Sequence, residues 1–98
     1  MQIKDVEILT GMPRANIRYY EKAGLLNRTA RNTFNYREYT EDDVEQLQRI
    51  KILRLLEVPM EEIRLYKDDK GKLDQIIQEK MKELQVLVNM VVSKKENV

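Results

Sequence analysis

The stretch Pro-Arg-Ala-Asn-Ile-Arg-Tyr-Tyr-Glu-Lys-Ala-Gly, residues 13–24, decides the fold. Proline is tolerated in a first helical turn and glycine favours a left-handed helix end, so a helix of about three turns is predicted between them. Ile17 and Tyr20 share one face of this helix, which predicts packing against a core. A second face carries Arg14, Arg18, Tyr19 and Lys22.

The second face is cationic and aromatic. Most charged helix faces are only solvated surface, but such faces usually mix both signs, whereas Glu21 is the one acid here. Arginine matches phosphate or a guanine edge, and tyrosine hydroxyls commonly bond phosphate oxygens. The helix is therefore a candidate recognition helix for double-stranded DNA.

The charge distribution supports a polyanionic partner. The 98 residues suffice for one small domain, and 42% hydrophobic with 36% charged residues is typical of a folded, largely helical protein. Net charge is only +1, but residues 14–37 contain six basic residues against one acid. Because that segment carries +5, the rest of the chain carries −4, and concentrated positive charge indicates nucleic acid.

Several classes of function are disfavoured by composition. The chain has no Cys and no His, so zinc, iron–sulfur and thiol-redox sites lose their usual ligands, and no cofactor is expected. No carboxylate pair is found in an apolar setting, so no enzyme is expected. No apolar run approaches the ~20 residues of a membrane helix and no signal peptide is found, which predicts a cytoplasmic protein with no membrane partner.

The residues before the recognition helix predict another helix. Ile3, Val6 and Leu9 recur every three residues between residues 2 and 10, and Gly11 ends the pattern. Helix, glycine-containing turn and helix form the helix-turn-helix pattern, whose second helix enters the major groove. Many helical hairpins share this pattern.

Residues 27–39 are rich in Arg, Asn and aromatics, and their second half alternates as a strand does. A small β-hairpin is predicted beside the helix-turn-helix, which makes it a wing; a plain surface loop is the alternative. Three arginines would then contact phosphate, or be ordinary surface: Arg28, Arg31 and Arg37.

Thr40 predicts the start of a third helix, with Asp43 placed to complete a capping box. Its core stripe is predicted to contain Val44, Leu47, Ile50 and Leu53, widened by Ile52, Leu55 and Leu56. Pro59 predicts the start of a fourth helix. Between these helices Arg54 either contacts phosphate from a second small wing or only supports the helix end.

After a turn at residues 68–71, a long helix is predicted from residue 72 to about residue 93, roughly 33 Å at the α-helical rise. Heptad spacing predicts a dimerisation seam through Ile77, Met81, Leu84, Val88 and Val91, with Leu73 preceding it. The alternatives are a core helix folded back on its own domain, or a helix that binds another protein, which would make the chain a protein-interaction module.

Taken in order, these residues resemble the MerR family of bacterial transcription regulators. The likeness rests on Leu9-Thr10-Gly11, on Ile17-Arg18-Tyr19-Tyr20-Glu21-Lys22 with Gly24-Leu25-Leu26, on Asn35-Tyr36-Arg37-Glu38-Tyr39-Thr40 with Asp43-Val44, and on Glu61-Glu62-Ile63.

The resemblance implies a mainly α fold, with a winged helix-turn-helix DNA-binding domain at residues 1–70 and a coiled-coil dimerisation helix at residues 71–98. It implies DNA contact by Arg18 and Tyr19 in the recognition helix. It places Tyr36, Arg37 and Tyr39 in the wing as DNA contacts, with packing in the core as the alternative for Tyr39. Family members bind as homodimers through antiparallel helices to promoters with over-long spacers, which they bend and untwist beside RNA polymerase.

The sequence also departs from the family pattern. Asn35 and Glu57 stand where the family usually has glycine, and Pro13 stands where a capping Ser or Thr is common. Without cysteines, the metal- and redox-sensing effectors of the family are not expected. The chain is expected to be either a fragment of a longer regulator or a minimal member without a ligand-binding domain. The effector, the operator and the choice between activation and repression are not predicted.

Overall fold

The structure is a computed structural model that describes residues 1–26, 30–31 and 37–96. Its helices are α1 (Ile3–Thr10), α2 (Arg14–Lys22), α3 (Glu41–Leu55), α4 (Met60–Leu65) and α5 (Lys70–Glu96). Two short strands, β1 (Ala30–Arg31) and β2 (Arg37–Glu38), pair antiparallel with Arg31 opposite Arg37. The architecture is therefore mainly α-helical, as predicted.

Local signals set the helix-turn-helix. α1 ends at Gly11, whose φ of 68° is left-handed, and the Gly11 amide donates to the Glu7 carbonyl. α2 then begins directly after Pro13, so the two helices are joined by a tight connection. Val6 of α1 and Ile17 of α2 are both fully buried, and their burial holds the two helices together. The predicted helix-turn-helix is confirmed.

Thr40 caps α3 as predicted. The Thr40 hydroxyl accepts a hydrogen bond from the Asp43 amide at 3.1 Å, and the Asp43 carboxylate accepts one from the Thr40 amide at 2.9 Å. This reciprocal pair satisfies two backbone donors at the start of α3. The cap fixes where α3 starts after β2.

The buried side of α3 is narrower than predicted. Val44, Leu47, Ile50 and Leu53 are buried as expected, and Leu56 is half-buried. Ile52 and Leu55 were predicted to widen the core stripe, and this is wrong: they are 43% and 74% exposed. With 3.6 residues per turn, both side chains fall on the side of α3 that faces away from the core.

α5 is longer than predicted and starts earlier. It begins at Lys70, where the Asp69 carboxylate accepts a hydrogen bond from the Lys72 amide, and it continues to Glu96. Leu73 and Ile76 are buried in the same core as α3 and α4, so the base of α5 packs within the globular part of the chain. From residue 81 to residue 93 the side chains are exposed, and the molecule measures 65 × 26 × 18 Å.

Two helix ends share one geometry with different residues. At the end of α2, Leu25 donates to the Tyr20 carbonyl and Gly24 has a φ of 80°. At the end of α3, Val58 donates to the Leu53 carbonyl and Glu57 has a φ of 63°. Both are Schellman ends, but only glycine takes the left-handed position without steric cost. Among the described residues, Glu57 is the one non-glycine with positive φ.

We expect Glu57→Gly to raise the free energy of unfolding by about 1 kcal/mol. A left-handed Cβ costs roughly 1–2 kcal/mol, and the extra freedom of glycine in the unfolded chain cancels part of the gain. Thermal unfolding at fixed protein concentration measures the change. Glu57→Ala is the matched control, since it removes the carboxylate and keeps the Cβ. Equal stabilisation by both changes would contradict a backbone origin.

Candidate nucleic-acid interface

The outward side of α2 is the centre of the candidate interface. Ile17 turns its side chain into the core, whereas the side chains of Arg14, Arg18 and Lys22 are exposed. These three cations are spaced four residues apart, so they line one stripe along the helix. Tyr19 lies beside the stripe and is 59% exposed. The structure therefore brings together the four α2 residues that the sequence predicted.

Arg14 is held by α1. Its guanidinium pairs with the Glu7 carboxylate, with Nη2 at 2.8 Å and Nε at 3.0 Å from Oε1, and its amide donates to Oε2 at 3.2 Å. Glu7 therefore occupies part of the guanidinium fork and fixes the side chain at the start of α2. Sequence reasoning missed this acid, because a contact across the turn leaves no periodic signal.

Arg18 and Tyr19 are differently constrained. Within residues 1–26, 30–31 and 37–96, no ion pair or hydrogen bond engages the Arg18 side chain, so its fork is open to solvent. The Tyr19 ring packs edge to face on Tyr20, with ring centroids 5.5 Å apart, and Tyr20 is half-buried. This contact restrains the Tyr19 ring while leaving its hydroxyl on the surface.

Tyr39 was predicted to contact DNA, but its side chain is only 2% exposed and lies in the core. The Tyr39 hydroxyl donates to Glu21 Oε2 at 3.0 Å, and its backbone amide donates to the Met1 carbonyl at 2.8 Å. Tyr39 thus ties the end of β2 to α2 and to the N-terminus. Burial of the ring corrects the predicted DNA contact and favours the alternative, which was packing in the core.

Positively charged side chains of α3 and α4 cap the C-terminal ends of α1 and α2. Lys51 Nζ donates to the Thr10 carbonyl at 3.1 Å, and Arg64 Nε donates to the Ala23 carbonyl at 2.8 Å. Positive groups at helix C-termini satisfy orphan carbonyls and complement the helix dipole. Sequence reasoning missed both residues, because each acts on a helix distant in sequence.

Arg54 supports the end of its own helix. Its Nη1 donates to the Val58 carbonyl at 2.8 Å, across the Schellman end that contains Glu57. The two alternatives for Arg54 were phosphate contact and support of the helix end, and the hydrogen bond favours support. Arg54 also lines a shallow groove with Pro13 and Tyr20, so it lies near α2.

The wing residues are only partly described. Arg28 and Tyr36 lie outside the described residues, so their predicted DNA contacts stay predictions. Only the backbone of Arg31 and Arg37 is described, and the two residues lie opposite each other in the β1–β2 pair.

The predicted dimerisation residues fall into two groups. Leu73 is 0% exposed in the core of its own protomer, which corrects its place in the seam, and Ile77 is half-buried against the same core. The remaining four, Met81, Leu84, Val88 and Val91, are about half-exposed along α5. The free part of the seam therefore begins at Met81.

A polar bridge joins α3 to the base of α5. Arg49 Nε donates to Asp74 Oδ1 at 2.9 Å, and Arg49 Nη2 lies 2.6 Å from Glu45 Oε1. The hydrogen bond to Asp74 raises the pKa of Arg49 above its ordinary value; burial opposes the shift and Glu45 adds to it. The guanidinium therefore remains charged and fixes α5 against α3.

Other kinds of site are not visible in the described part of the chain. Its Asp and Glu residues form no group of three or more that could hold a metal ion. None of its helices is both long enough and apolar enough to cross a membrane.

Comparison with known proteins places this architecture in a family. The family model described as "MerR HTH family regulatory protein" matches residues 1–70. The HTH-type transcriptional regulator HmrR of Sinorhizobium medicae (strain WSM419) is 34% identical over 64 residues, which cover 65% of this chain and 44% of HmrR. The chain thus spans less than half the length of that curated relative.

Two solved structures share the fold. A MerR family transcriptional regulator from Listeria monocytogenes superposes with a TM-score of 0.79 at 18% identity, over 98% of this chain and 80% of that one. HiNmlR, described as a MerR family regulator lacking the sensor domain and bound to promoter DNA, gives a TM-score of 0.78 at 16% identity, over 98% and 78%. With the family model matched across both helices of the helix-turn-helix and through α4, the chain belongs to the MerR HTH family of regulatory proteins.

Proposed function

We propose that this protein is a dimeric, sequence-specific transcription regulator that binds double-stranded promoter DNA through α2. The observation that carries the proposal is the outward stripe of α2, where the Arg18 guanidinium has no partner among the described residues and lies between the exposed side chains of Arg14 and Lys22. An exposed arginine fork on the second helix of a helix-turn-helix suits a guanine edge or a phosphate in the major groove. Membership in a family of regulators favours this function over a protein-interaction module and over an enzyme.

The β1–β2 pair supports a wing beside α2. Its strands leave the end of α2 and return to α3, and Tyr39 ties the returning strand to Glu21 of α2. In this proposal Arg28, Arg31, Tyr36 and Arg37 contact the DNA backbone next to the groove that α2 enters. The hairpin thus extends the α2 contact along the duplex.

The exposed apolar side of α5 supports a homodimer through antiparallel helices. Met81, Leu84, Val88 and Val91 form a continuous apolar row that a second copy would cover. A dimer presents two α2 helices to one duplex, and distortion of the spacer between promoter elements follows when their separation differs from that of relaxed DNA. RNA polymerase at the same promoter is the proposed further partner, and the cytoplasm is the proposed location.

Promoter binding across a salt series tests the function. A dimer carries twelve basic residues in its two 14–37 segments, and contact of about two-thirds of them with phosphate gives a log–log salt slope near −7. We expect the affinity for the upstream promoter region to fall by about 10⁴-fold between 50 and 200 mM salt. Fluorescence anisotropy with unrelated DNA as competitor measures both slope and specificity. A salt slope near zero, or equal affinity for the promoter and for unrelated DNA, would contradict the proposal.

A further inference from the structure

Glu7 of α1 contacts both the backbone and the side chain of Arg14 at the start of α2. Its Oε2 accepts a hydrogen bond from the Arg14 amide at 3.2 Å, and its Oε1 accepts one from Nε at 3.0 Å and lies 2.8 Å from Nη2. The side chains of Glu7 and Arg14 are 28% and 52% exposed, so the ion pair is partly shielded from water. Such shielding strengthens an ion pair relative to a fully exposed one. We call this contact the Glu7–Arg14 pair.

The backbone half of the contact replaces a missing cap. Pro13 is the N-cap residue of α2 and makes no side-chain hydrogen bond to the helix. Its φ of −61° and ψ of 147° are the extended geometry from which a serine or threonine side chain caps a helix. The Glu7 carboxylate satisfies one of the unpaired amides at the helix start instead, that of Arg14. One carboxylate from α1 thus caps the backbone of α2 and also holds the arginine.

The side-chain half of the contact leaves one edge of the guanidinium free. Nε and Nη2 of Arg14 point to Glu7, whereas Nη1 has no hydrogen-bond partner among the residues that the structure describes. Nη1 and Nη2 together present parallel N–H donors on the outer edge of the group, away from Nε. That edge matches the O6 and N7 acceptors of guanine. Glu7 therefore orients the fork and keeps its outer edge available.

The charge of the pair favours a base over a phosphate. Glu7 offsets the charge of Arg14, so the pair gains less from a phosphate than the exposed side chains of Arg18 and Lys22 do. Guanine recognition depends instead on two donors at a fixed spacing, which the pair retains. In a helix-turn-helix the N-terminal residues of the second helix contact base edges, and Arg14 is the first residue of α2.

Resting on the proposed DNA binding through α2, we propose that Glu7 is a positioning residue that makes Arg14 the reader of one guanine in each half-site. Glu7 holds the Nε side of the guanidinium and caps α2, and the outer edge of Arg14 donates to O6 and N7 of the guanine in the major groove. The Glu7–Arg14 pair thus adds discrimination between DNA sequences more than it adds affinity.

A loss-of-contact experiment tests the proposal. Each G·C pair of the bound promoter region is replaced in turn by A·T, and fluorescence anisotropy gives the loss of affinity for the unchanged protein and for Arg14→Ala, Glu7→Ala and Glu7→Ala/Pro13→Ser. The double variant restores a cap at the start of α2 but no partner for the Arg14 guanidinium, and thermal unfolding checks that each variant is folded.

For the unchanged protein we expect one G·C pair in each half-site whose replacement weakens binding by roughly 5-fold to 150-fold because Arg14 loses its acceptors. In Arg14→Ala, Glu7→Ala and the double variant, the loss at that base pair should shrink to about twofold or less, while the losses at other base pairs persist.

Affinity for unrelated DNA separates positioning from folding by its sign. Removal of Glu7 frees the charge of Arg14 for phosphate in both protomers, so binding of Glu7→Ala to unrelated DNA should tighten at 50 mM salt. Its log–log salt slope should steepen by about 2. A purely structural role for Glu7 predicts the opposite result, which is weaker binding to both DNAs and recovery of both affinities when Pro13→Ser is added.

Two results would overturn the inference. In the first, Arg14→Ala changes the loss of affinity at no base pair. In the second, Glu7→Ala/Pro13→Ser keeps the full loss at the base pair that Arg14→Ala no longer distinguishes. If the unchanged protein binds the promoter and unrelated DNA equally, the proposed function itself fails, and the two kinds of failure are thereby distinguished.

Discussion

We expect Arg18→Ala to weaken promoter binding more than any other single change on α2. A bidentate arginine contact to a base contributes about 1–3 kcal/mol, and a dimer loses two such contacts, so the affinity falls by roughly 30-fold to 10⁴-fold. Arg18 is the residue of choice because its guanidinium is exposed on the outward stripe and no described neighbour engages it. Anisotropy titration of the promoter at fixed salt measures the loss.

Two control variants show whether the loss of affinity is specific to Arg18. Arg14→Ala removes the same charge from the same stripe, but Glu7 already engages that guanidinium, so a smaller loss is expected. Lys82→Ala removes one positive charge from the exposed part of α5, far from α2, and should leave the affinity within about twofold. If Arg18→Ala binds as tightly as Lys82→Ala does, α2 is not the helix that reads the DNA.

Leu73→Ala lowers the free energy of unfolding by about 2–5 kcal/mol. Leu73 is completely buried between α5 and the core of its own protomer, and truncation of a buried leucine loses its transfer free energy and leaves a cavity. Against a typical total of about 5–15 kcal/mol, such a loss is a large fraction of the free energy of unfolding. Urea denaturation followed by circular dichroism measures the change.

Concentration dependence separates this core effect from an effect on dimerisation. Leu84→Ala truncates a side chain that is 48% exposed in the protomer, so its cost should appear as weaker association and a midpoint that depends on protein concentration. For Leu73→Ala the destabilisation should persist in dilute protein, where protomers are dissociated. A destabilisation that vanishes on dilution would place Leu73 in the dimer seam after all.

Local rules predicted where most helices begin and end. Pro13 and Gly24 bound α2, Thr40 and Asp43 cap α3, and Pro59 precedes α4, because each of these signals acts through the backbone of its own neighbours. The start of α5 was mispredicted: the sequence analysis placed it at residue 72, whereas the helix begins at Lys70. Asp69 acts as a capping acid for Lys72, whereas the sequence interpretation read residues 68–71 as a turn.

The wrong predictions concern which side chains of a helix or strand face the core. Ile52 and Leu55 are as apolar as Leu53, and only the positions of α1, α4 and α5 around α3 decide which of them is buried. The same holds for Tyr39 and Leu73, whose tertiary neighbours place them inside the protomer. Periodicity gives the spacing of an apolar stripe, but its width depends on packing partners distant in sequence.

The candidate interface divides in a similar way. The outward residues of α2 were predictable, because one helix displays them all at regular spacing. The contacts that hold them, Glu7 with Arg14 and Glu21 with Tyr39, join different elements and have no signature in a single sequence. Positions were therefore predicted better than the interactions that orient the side chains.

The ion pairs of Arg49 with Glu45 and Asp74 lie at the base of the long helix α5. A helix of 27 residues is about 40 Å long, so a tilt of about 10° at its base displaces its far end by about 7 Å. That displacement is close to the rise of two base pairs, at about 3.4 Å each. In the proposed dimer, the distance between the two α2 helices is thus set by the stiffness of a few partly buried contacts between α3 and α5.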